Sequence, residues 1–323
     1  MRVLITAAGS TTAISAAKAL KKSKRHHYIV GTDIYPSTEI AGTIFCDSVH
    51  RVPLFSDPQY IETLLSICKK ERIEFIIPIM DQEVEIIAAH ATIFKDAGIM
   101  PCVSDVETIR ICNDKYLTWK ALRAKGIDTP HAYLPEESVL FLPLFPLFIK
   151  PRHGISSRDC YKITTKEEYD LFVKKVDQPV IQQYLSGKQY VVDIVCDLAG
   201  NPVVSTVRHE ISAKSGLGVK AVTLHDTEIC EYAEKIAKAL LITGQANIEV
   251  FKDNNTISLI EVNPRLSAGS ILSAAAGVNI AEVAIDVFSN KELNRADYRY
   301  HDNVYMTRYW EEVYYRDGEH MNF

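Results

Sequence analysis

The chain has 323 residues, 47% of them hydrophobic and 24% charged, with a formal net charge of −5. That length suits two or three packed subdomains, and the composition excludes a disordered or fibrous chain. The mild acidity argues against a protein built to hold nucleic acid, which carries a basic excess.

Strand-like and helix-like stretches alternate from the start. Arg2 to Ile5 is an apolar strand, Ala8-Gly9-Ser10 a turn, and Thr12 to Lys21 a helix. Tyr28 to Thr32 reads as a second strand ending at Asp33, and Tyr60 to Lys70 as a helix. Phe75 to Ile79 is a β-branched run, followed by Asp81-Gln82-Glu83 and a helix from Glu85 to Phe94. This rhythm predicts a parallel sheet covered by helices over residues 1–112.

Residues 113–185 follow a different plan. Asp114 to Lys125 is helical and closed by Gly126. Phe145 to Pro151 is a strand, and His153 to Arg158 a polar loop. Thr164 to Val176 is helical, with Thr165 and Glu168 as a capping box, and Val180 to Tyr184 is a strand. From residue 186 to 323 the strands lengthen: Tyr190 to Asp197, Pro202 to Arg208 and Ile257 to Val262. Gly200-Asn201 and Asn254-Asn255 read as hairpin turns. Thr227 to Leu241 and Gly277 to Phe288 are helices, and the Tyr-rich tail from Tyr298 to Tyr315 reads as an edge strand.

The seven cysteines form no C-x-x-C pair and offer neither metal spacing nor a disulfide framework. They read as small core residues of a cytoplasmic protein. Met1 leads directly into a strand without the charged region of a signal peptide. The most apolar run, Val139 to Ile149, is about half a membrane span and is interrupted by Pro143 and Pro146, so no membrane partner is expected.

Two places invite a ligand. Thr6 to Ala13 follows a strand and opens a helix, where dinucleotide folds bind pyrophosphate, and Asp33 could hold a ribose hydroxyl. The G-x-G-x-x-G pattern is reduced to one glycine there, which favours a tight structural turn. The second place is Glu249 and the stretch Glu261-Val262-Asn263-Pro264-Arg265. Alternation points Glu261 and Asn263 to one face, and a hairpin can set Glu249 beside them. Two carboxylates and an amide oxygen suit Mg2+ that still carries substrate phosphates. Arg265 could neutralise a transferring phosphoryl group.

These residues resemble the ATP-grasp superfamily, and most of all one ATP-grasp half of the carbamoyl-phosphate synthase large subunit. The resemblance implies a Rossmann-like parallel-sheet leading domain followed by a two-subdomain α+β ATP-grasp fold, the small lid subdomain covering residues 113–185. It implies that ATP and Mg2+, or Mn2+, are bound. By position, Lys115 and Lys150 match phosphate-binding lysines, and Gly154, Ser156 and Ser157 the flap over the phosphates. Gln182, Gln183, Tyr184 and Leu185 match the linker that holds adenine through backbone groups, and Gln189 the ribose contact. Glu249, Glu261 and Asn263 match the metal ligands, and Arg265 the phosphate-side arginine. The implied activity is ligation of a small carboxylate to an amine or other nucleophile through an acyl phosphate, in a possible homodimer.

Arg208, Lys214 and Lys220 lie on or beside a loop facing this site, where Arg208 and Lys220 would bind the substrate carboxylate. Asp81 and Glu83 could face the acceptor. Ala268 stands where the synthase branch carries an arginine, and Ser215 to Leu224 has no histidine where the synthase has one. Both departures point away from carbamoyl phosphate. The rival readings are an NAD(P)-dependent oxidoreductase built on the N-terminal turn and a non-catalytic ATP-binding module.

Overall fold

A computed structural model of the protein describes residues 1–138, 145–154, 158–254 and 256–321. Five parallel strands, β1 (Arg2–Ile5), β2 (Tyr28–Asp33), β3 (Ser48–Arg51), β4 (Phe75–Ile77) and β5 (Met100–Pro101), lie in the order β3-β2-β1-β4-β5. Their apolar runs are continuous because both faces are covered. Val3 and Ile5 pack toward α1 (Thr11–Lys21). Leu4 and Ile76 pack toward α2 (Tyr60–Lys70), α3 (Asp81–Ala89) and α4 (Ala91–Asp96).

The helix expected from Glu85 begins at Asp81, because Glu83 folds back to accept the Met80 N–H and closes the first turn. It breaks at His90. Strand β3 was unread, since Ser48-Val49-His50-Arg51 lies half-buried at the sheet edge without an apolar run.

Helices α5 (Val106–Asn113) and α6 (Lys115–Ala124) follow. The expected division assigns α6 to the lid. Its Leu122, with Cys112 of α5, instead joins the core of the C-terminal sheet.

The lid sheet contains β6 (Ala132–Tyr133), β7 (Leu147–Pro151), β8 (Tyr161–Ile163) and β9 (Pro179–Gln183), in the order β6-β9-β7-β8. A short helix α7 (Pro135–Ser138) precedes β7. Leu147, Ile149 and Ile181 face α8 (Lys166–Lys175), which buries Tyr169 against them. Alternation turns Phe148, Lys150 and Gln182 to the opposite face. The Thr165 hydroxyl caps α8 by accepting from the Glu168 N–H, while Glu168 reaches back to Thr164.

Beyond the lid come β10 (Lys188–Cys196), β11 (Pro202–Lys214), β12 (Leu217–Leu224), β13 (Gly244–Asp253), β14 (Thr256–Asn263) and β15 (Tyr305–Thr307). They form one antiparallel sheet in the order β14-β13-β10-β11-β12-β15. Helix α9 (Thr227–Ala239) buries Ile229, Ala233, Ile236 and Ala237 on one face. Helices α10 (Ser270–Ala275) and α11 (Ile280–Phe288) tie the other face to α1. Gly277 was expected to open α11, but it has φ +119° and forms the turn between these two helices. Strand β12 was unread because Leu217-Gly218-Val219-Lys220 lacks an unbroken apolar pattern. A last hairpin, β16 (Tyr314–Arg316) and β17 (Glu319–Met321), reaches the leading domain, where the Tyr315 hydroxyl donates to the Ile40 carbonyl at 3.1 Å.

Candidate active site

Glu249 on β13 and Glu261 on β14 stand directly opposite one another, and Asn263 stands opposite Asn247. The register slips between Glu249 and Val250, leaving Ile260 as the extra residue of a bulge. The freed Ile260 carbonyl accepts from Lys150 Nζ at 3.2 Å. The bulge therefore joins the lid lysine on β7 to the carboxylate strand.

Asp114 caps α6 by accepting from the Tyr116 and Leu117 N–H groups, which fixes Lys115 at the first helical position. Lys115 Nζ lies 3.7 Å from Glu261 Oε2 and donates to the Gly154 carbonyl at 3.0 Å. Its backbone N–H bonds the Arg152 carbonyl at 3.2 Å. Asp114 also pairs with Arg152, so the approach to the flap is tied to α6 at three points.

The charges are unevenly matched. Lys150 is 5% exposed, and burial, with Lys115 adding to it and Glu261 opposing, lowers its pKa to about 8. Burial and the facing Glu261 push the Glu249 carboxyl up, partly offset by Arg208. Burial also acts to raise Glu261, but Lys115, Lys150, Asn263 and Arg265 together hold it below its ordinary value. Gln189 donates to Glu249 Oε2 at 3.0 Å, and Asn263 Nδ2 donates to Glu261 Oε1 at 3.1 Å. Arg265 Nε donates to Asp81 Oδ1 at 2.5 Å, bringing the leading domain to the edge of the cleft. Lys115 and Glu261 also border a narrow slot formed with Trp119, Thr129, Gln182 and the chain from Leu259 to Val262.

The N-terminal turn is built otherwise. Asp33 accepts from the Gly9 N–H at 2.8 Å and from the Tyr35 N–H at 3.1 Å, so its oxygens serve the turn itself. A Cβ at Gly42 would stand 1.8 Å from the Ala8 carbonyl oxygen. The chain thus fills the crevice that a pyrophosphate would need.

Residues 112–269 match the ATP-grasp domain model, and residues 3–102 match the PylC-like N-terminal domain model. Residues 112–269 form an ATP-grasp domain. It is 28% identical over 266 residues to a carbamoyl phosphate synthase large chain of Thermoanaerobacter pseudethanolicus, a match covering 76% of this chain and 25% of that one. It thus spans about a quarter of the length of such relatives. Among solved structures it resembles the biotin carboxylase domain dimer of a Hydrogenobacter thermophilus 2-oxoglutarate carboxylase, in complex with MgADP, ADP and bicarbonate. That likeness has a TM-score of 0.74 at 19% identity and covers 94% of this chain and 73% of that one. It also resembles an L-amino acid ligase from Bacillus licheniformis, with a TM-score of 0.71 at 16% identity, covering 93% of this chain and 77% of that one.

Within this ATP-grasp fold, Lys115, Lys150, Gly154, Gln189, Glu249, Glu261, Asn263 and Arg265 line or adjoin one cleft between the lid and the six-stranded sheet. Ser156 and Ser157 lie outside the described residues. Gln183 is exposed at the end of β9, opposite Leu147, whereas Gln182 is buried on the cleft face. The Tyr184 N–H bonds the Pro146 carbonyl at 3.2 Å and its ring lies 6.4 Å from that of Phe148; Leu185 is half-buried beside it.

Three expectations are corrected. Arg208 is 4% exposed and is held by Asp193, Glu210 and Ser267, so its guanidinium is an internal brace rather than a free carboxylate receptor. Lys220 is exposed on β12, and its neighbour Ala221 pairs with Glu210 on the cleft side. Alternation then turns Lys220 to the other face. Glu83 does not face an acceptor, being buried as the shared acceptor for Thr6, Tyr60 and Met80.

Sequence reasoning missed Asn247, Glu210 and Arg308. Asn247 was legible, two residues before Glu249 and therefore on its face. Arg308 was not, because its position depends on β15 pairing with the unread β12.

Proposed function

We propose that this chain is an ATP- and Mg2+-dependent carboxylate–amine ligase. The observation that carries this reading is the in-register pair Glu249 and Glu261, faced by Lys115 and Lys150 from the lid side. Two like charges set across a strand pair are costly unless a cation joins them. Among the described residues no group of three His, Cys, Asp or Glu could hold a metal. Two carboxylates and the Asn263 amide oxygen are too few for an all-protein cage, but they fit Mg2+ or Mn2+ that keeps substrate phosphates as ligands. Bound there, the metal would neutralise the ATP phosphates.

A substrate carboxylate oxygen attacks the γ-phosphorus, the bond to the bridging oxygen breaks, and ADP departs. The amine nitrogen then attacks the acyl carbon, phosphate leaves and the amine loses a proton, forming the C–N bond. Lys115, Lys150 and Arg265 position the chain of phosphates and balance its charge. Gln183, Tyr184, Leu185 and Gln189 hold the nucleoside, and the flap with Gly154, Ser156 and Ser157 excludes water. A homodimer and small-molecule carboxylate and amine substrates belong to the same reading.

The test is ADP release from Mg-ATP, screened over small acids and amines, with wild type and Glu261→Ala. At least one pair should release ADP with wild type and not with the variant. Release that survives Glu261→Ala would refute the metal assignment.

A further inference from the structure

Across the six-stranded sheet from the carboxylate pair lies a second set of charges that the phosphate chemistry does not use. Glu249, Val191, Arg208 and Thr223 form one cross-strand row, so Arg208 stands two strands, roughly 10 Å, from Glu249. Glu210 follows on the same face of β11. One of its oxygens accepts from Arg208 Nε at 2.8 Å. Among the described residues the other, Oε2, has no hydrogen-bond partner, and it is buried in a side chain only 8% exposed. A desolvated carboxylate oxygen left without a donor is expensive. The Gly218 backbone covers it so closely that a Cβ there would stand 1.9 Å away.

A cation short of a partner lies beside this acceptor. Arg308, directly after β15, donates Nε to the Gly218 carbonyl at 3.0 Å and Nη2 to the Ala268 carbonyl. Among the described residues, Nη1 makes no hydrogen bond and no carboxylate lies within ion-pair distance, though Glu210 is close enough to attract the guanidinium. Burial, with Arg208 close by, pulls its pKa down, and Glu210 opposes them. Its Ala268 contact lies three residues beyond Arg265, toward the phosphate end of the cleft. Arg308 therefore stands where Ala268 provides no charge of its own.

We propose that Glu210 and Arg308 form a receptor for an amino acid zwitterion, and that the carboxylate substrate of this ligase carries a free ammonium group. Arg308 Nη1 takes the carboxylate at its phosphate-facing end, and Glu210 Oε2 takes the ammonium. Arg208, braced by Asp193 and Ser267, fixes the Glu210 carboxyl and does not touch substrate. The receptor is closed in this state, and binding must part Gly218 from Glu210. The hairpin end can yield there, since the β11–β12 register breaks twice, between Glu210 and Ser212 and between Ser212 and Ala213.

This inference rests on the ligase reading, and the experiment separates the two. ADP release from Mg-ATP is followed with the common amino acids, singly and in pairs, and with the desamino acid of each skeleton, while ATP binding is measured by calorimetry. At least one amino acid should exceed its desamino counterpart about tenfold or more in kcat/KM, as loss of one charge-assisted bond implies. Glu210→Gln should reduce that preference to about twofold with the KM for ATP unchanged. Arg308→Met should raise the KM for the amino acid about tenfold, with Arg308→Lys partly restoring it. If Glu210→Gln does not fold, the neutral Glu210→Met gives the same readout. A desamino acid that serves as well, no response to any amino acid in a protein that binds ATP, or a preference unchanged in Glu210→Gln overturns the receptor. Absence of ATP binding overturns the ligase reading itself.

Discussion

The leading-domain turn and the carboxylate cleft use similar parts to different ends. Each sets a glycine or a bulge at a strand end beside an acidic side chain. At the turn the acid is satisfied: Asp33 takes two backbone N–H groups, and Gly42 packs tightly on the Ala8 carbonyl. In the cleft the accounts do not balance. Glu249 faces Glu261, and among the described residues Lys150 is buried on a single carbonyl and Glu210 Oε2 has no donor. Partnered polar groups hold a fold together; the poorly matched charges gathered in this cleft are placed to take a ligand.

That contrast can be broken by substitution. The largest effect should come from Glu261→Ala, which is expected to lower ADP release about 100- to 1,000-fold with an undiminished melting temperature. A melting temperature that falls with activity would place Glu261 among the structural acids. Glu83→Ala should do the reverse. It strands three donors, from Thr6, Tyr60 and Met80, and should cost about 3 kcal/mol in urea unfolding while the folded protein still binds ATP. Asp33→Ala should cost about 1–2 kcal/mol, again without changing ATP affinity. Glu249→Gln removes one of two facing charges and should stabilise the free protein by about 0.5–1 kcal/mol. A destabilised Glu249→Gln would contradict the unbalanced cleft.

The smallest effect concerns the joint between the leading domain and α11. Burial acts to raise Asp286, but Arg25 and Lys291 bond it and hold its pKa below the ordinary aspartate value. A depressed carboxyl contributes stability above its unfolded pKa and loses it as the pH falls toward the folded value. The melting temperature should therefore decline from about pH 5 to pH 3, and Asp286→Asn should flatten the decline by about 2 °C, a small effect because Arg25 is partly exposed to solvent.

Regular periodicity was the legible part of this fold. The apolar strands Val3 to Ile5 and Phe75 to Ile77 and the α9 face from Ile229 to Leu240 follow directly from it. So does the β13–β14 hairpin that joins Glu249 to Glu261, because a two-residue alternation and a polar turn leave little choice of register. What stayed hidden depends on breaks in that alternation or on distant pairing. The bulge at Ile260 aims a carbonyl at Lys150, and nothing in Ser258-Leu259-Ile260 marks it. Arg208 looked like a free cation because Asp193 and Ser267, its partners, are 15 and 59 residues away. Lys220 looked available because the face of an unread strand cannot be assigned.

The central claim is that the cleft between the lid and the six-stranded sheet holds Mg-ATP. Calorimetric titration with ATP, with and without Mg2+, and with NAD(H) tests it most directly. The account predicts ATP binding at about micromolar strength, weakened roughly tenfold or more without Mg2+ and insensitive to Mg2+ once Glu249 and Glu261 are both alanine. NAD(H) bound tightly while Mg-ATP is not bound would contradict it.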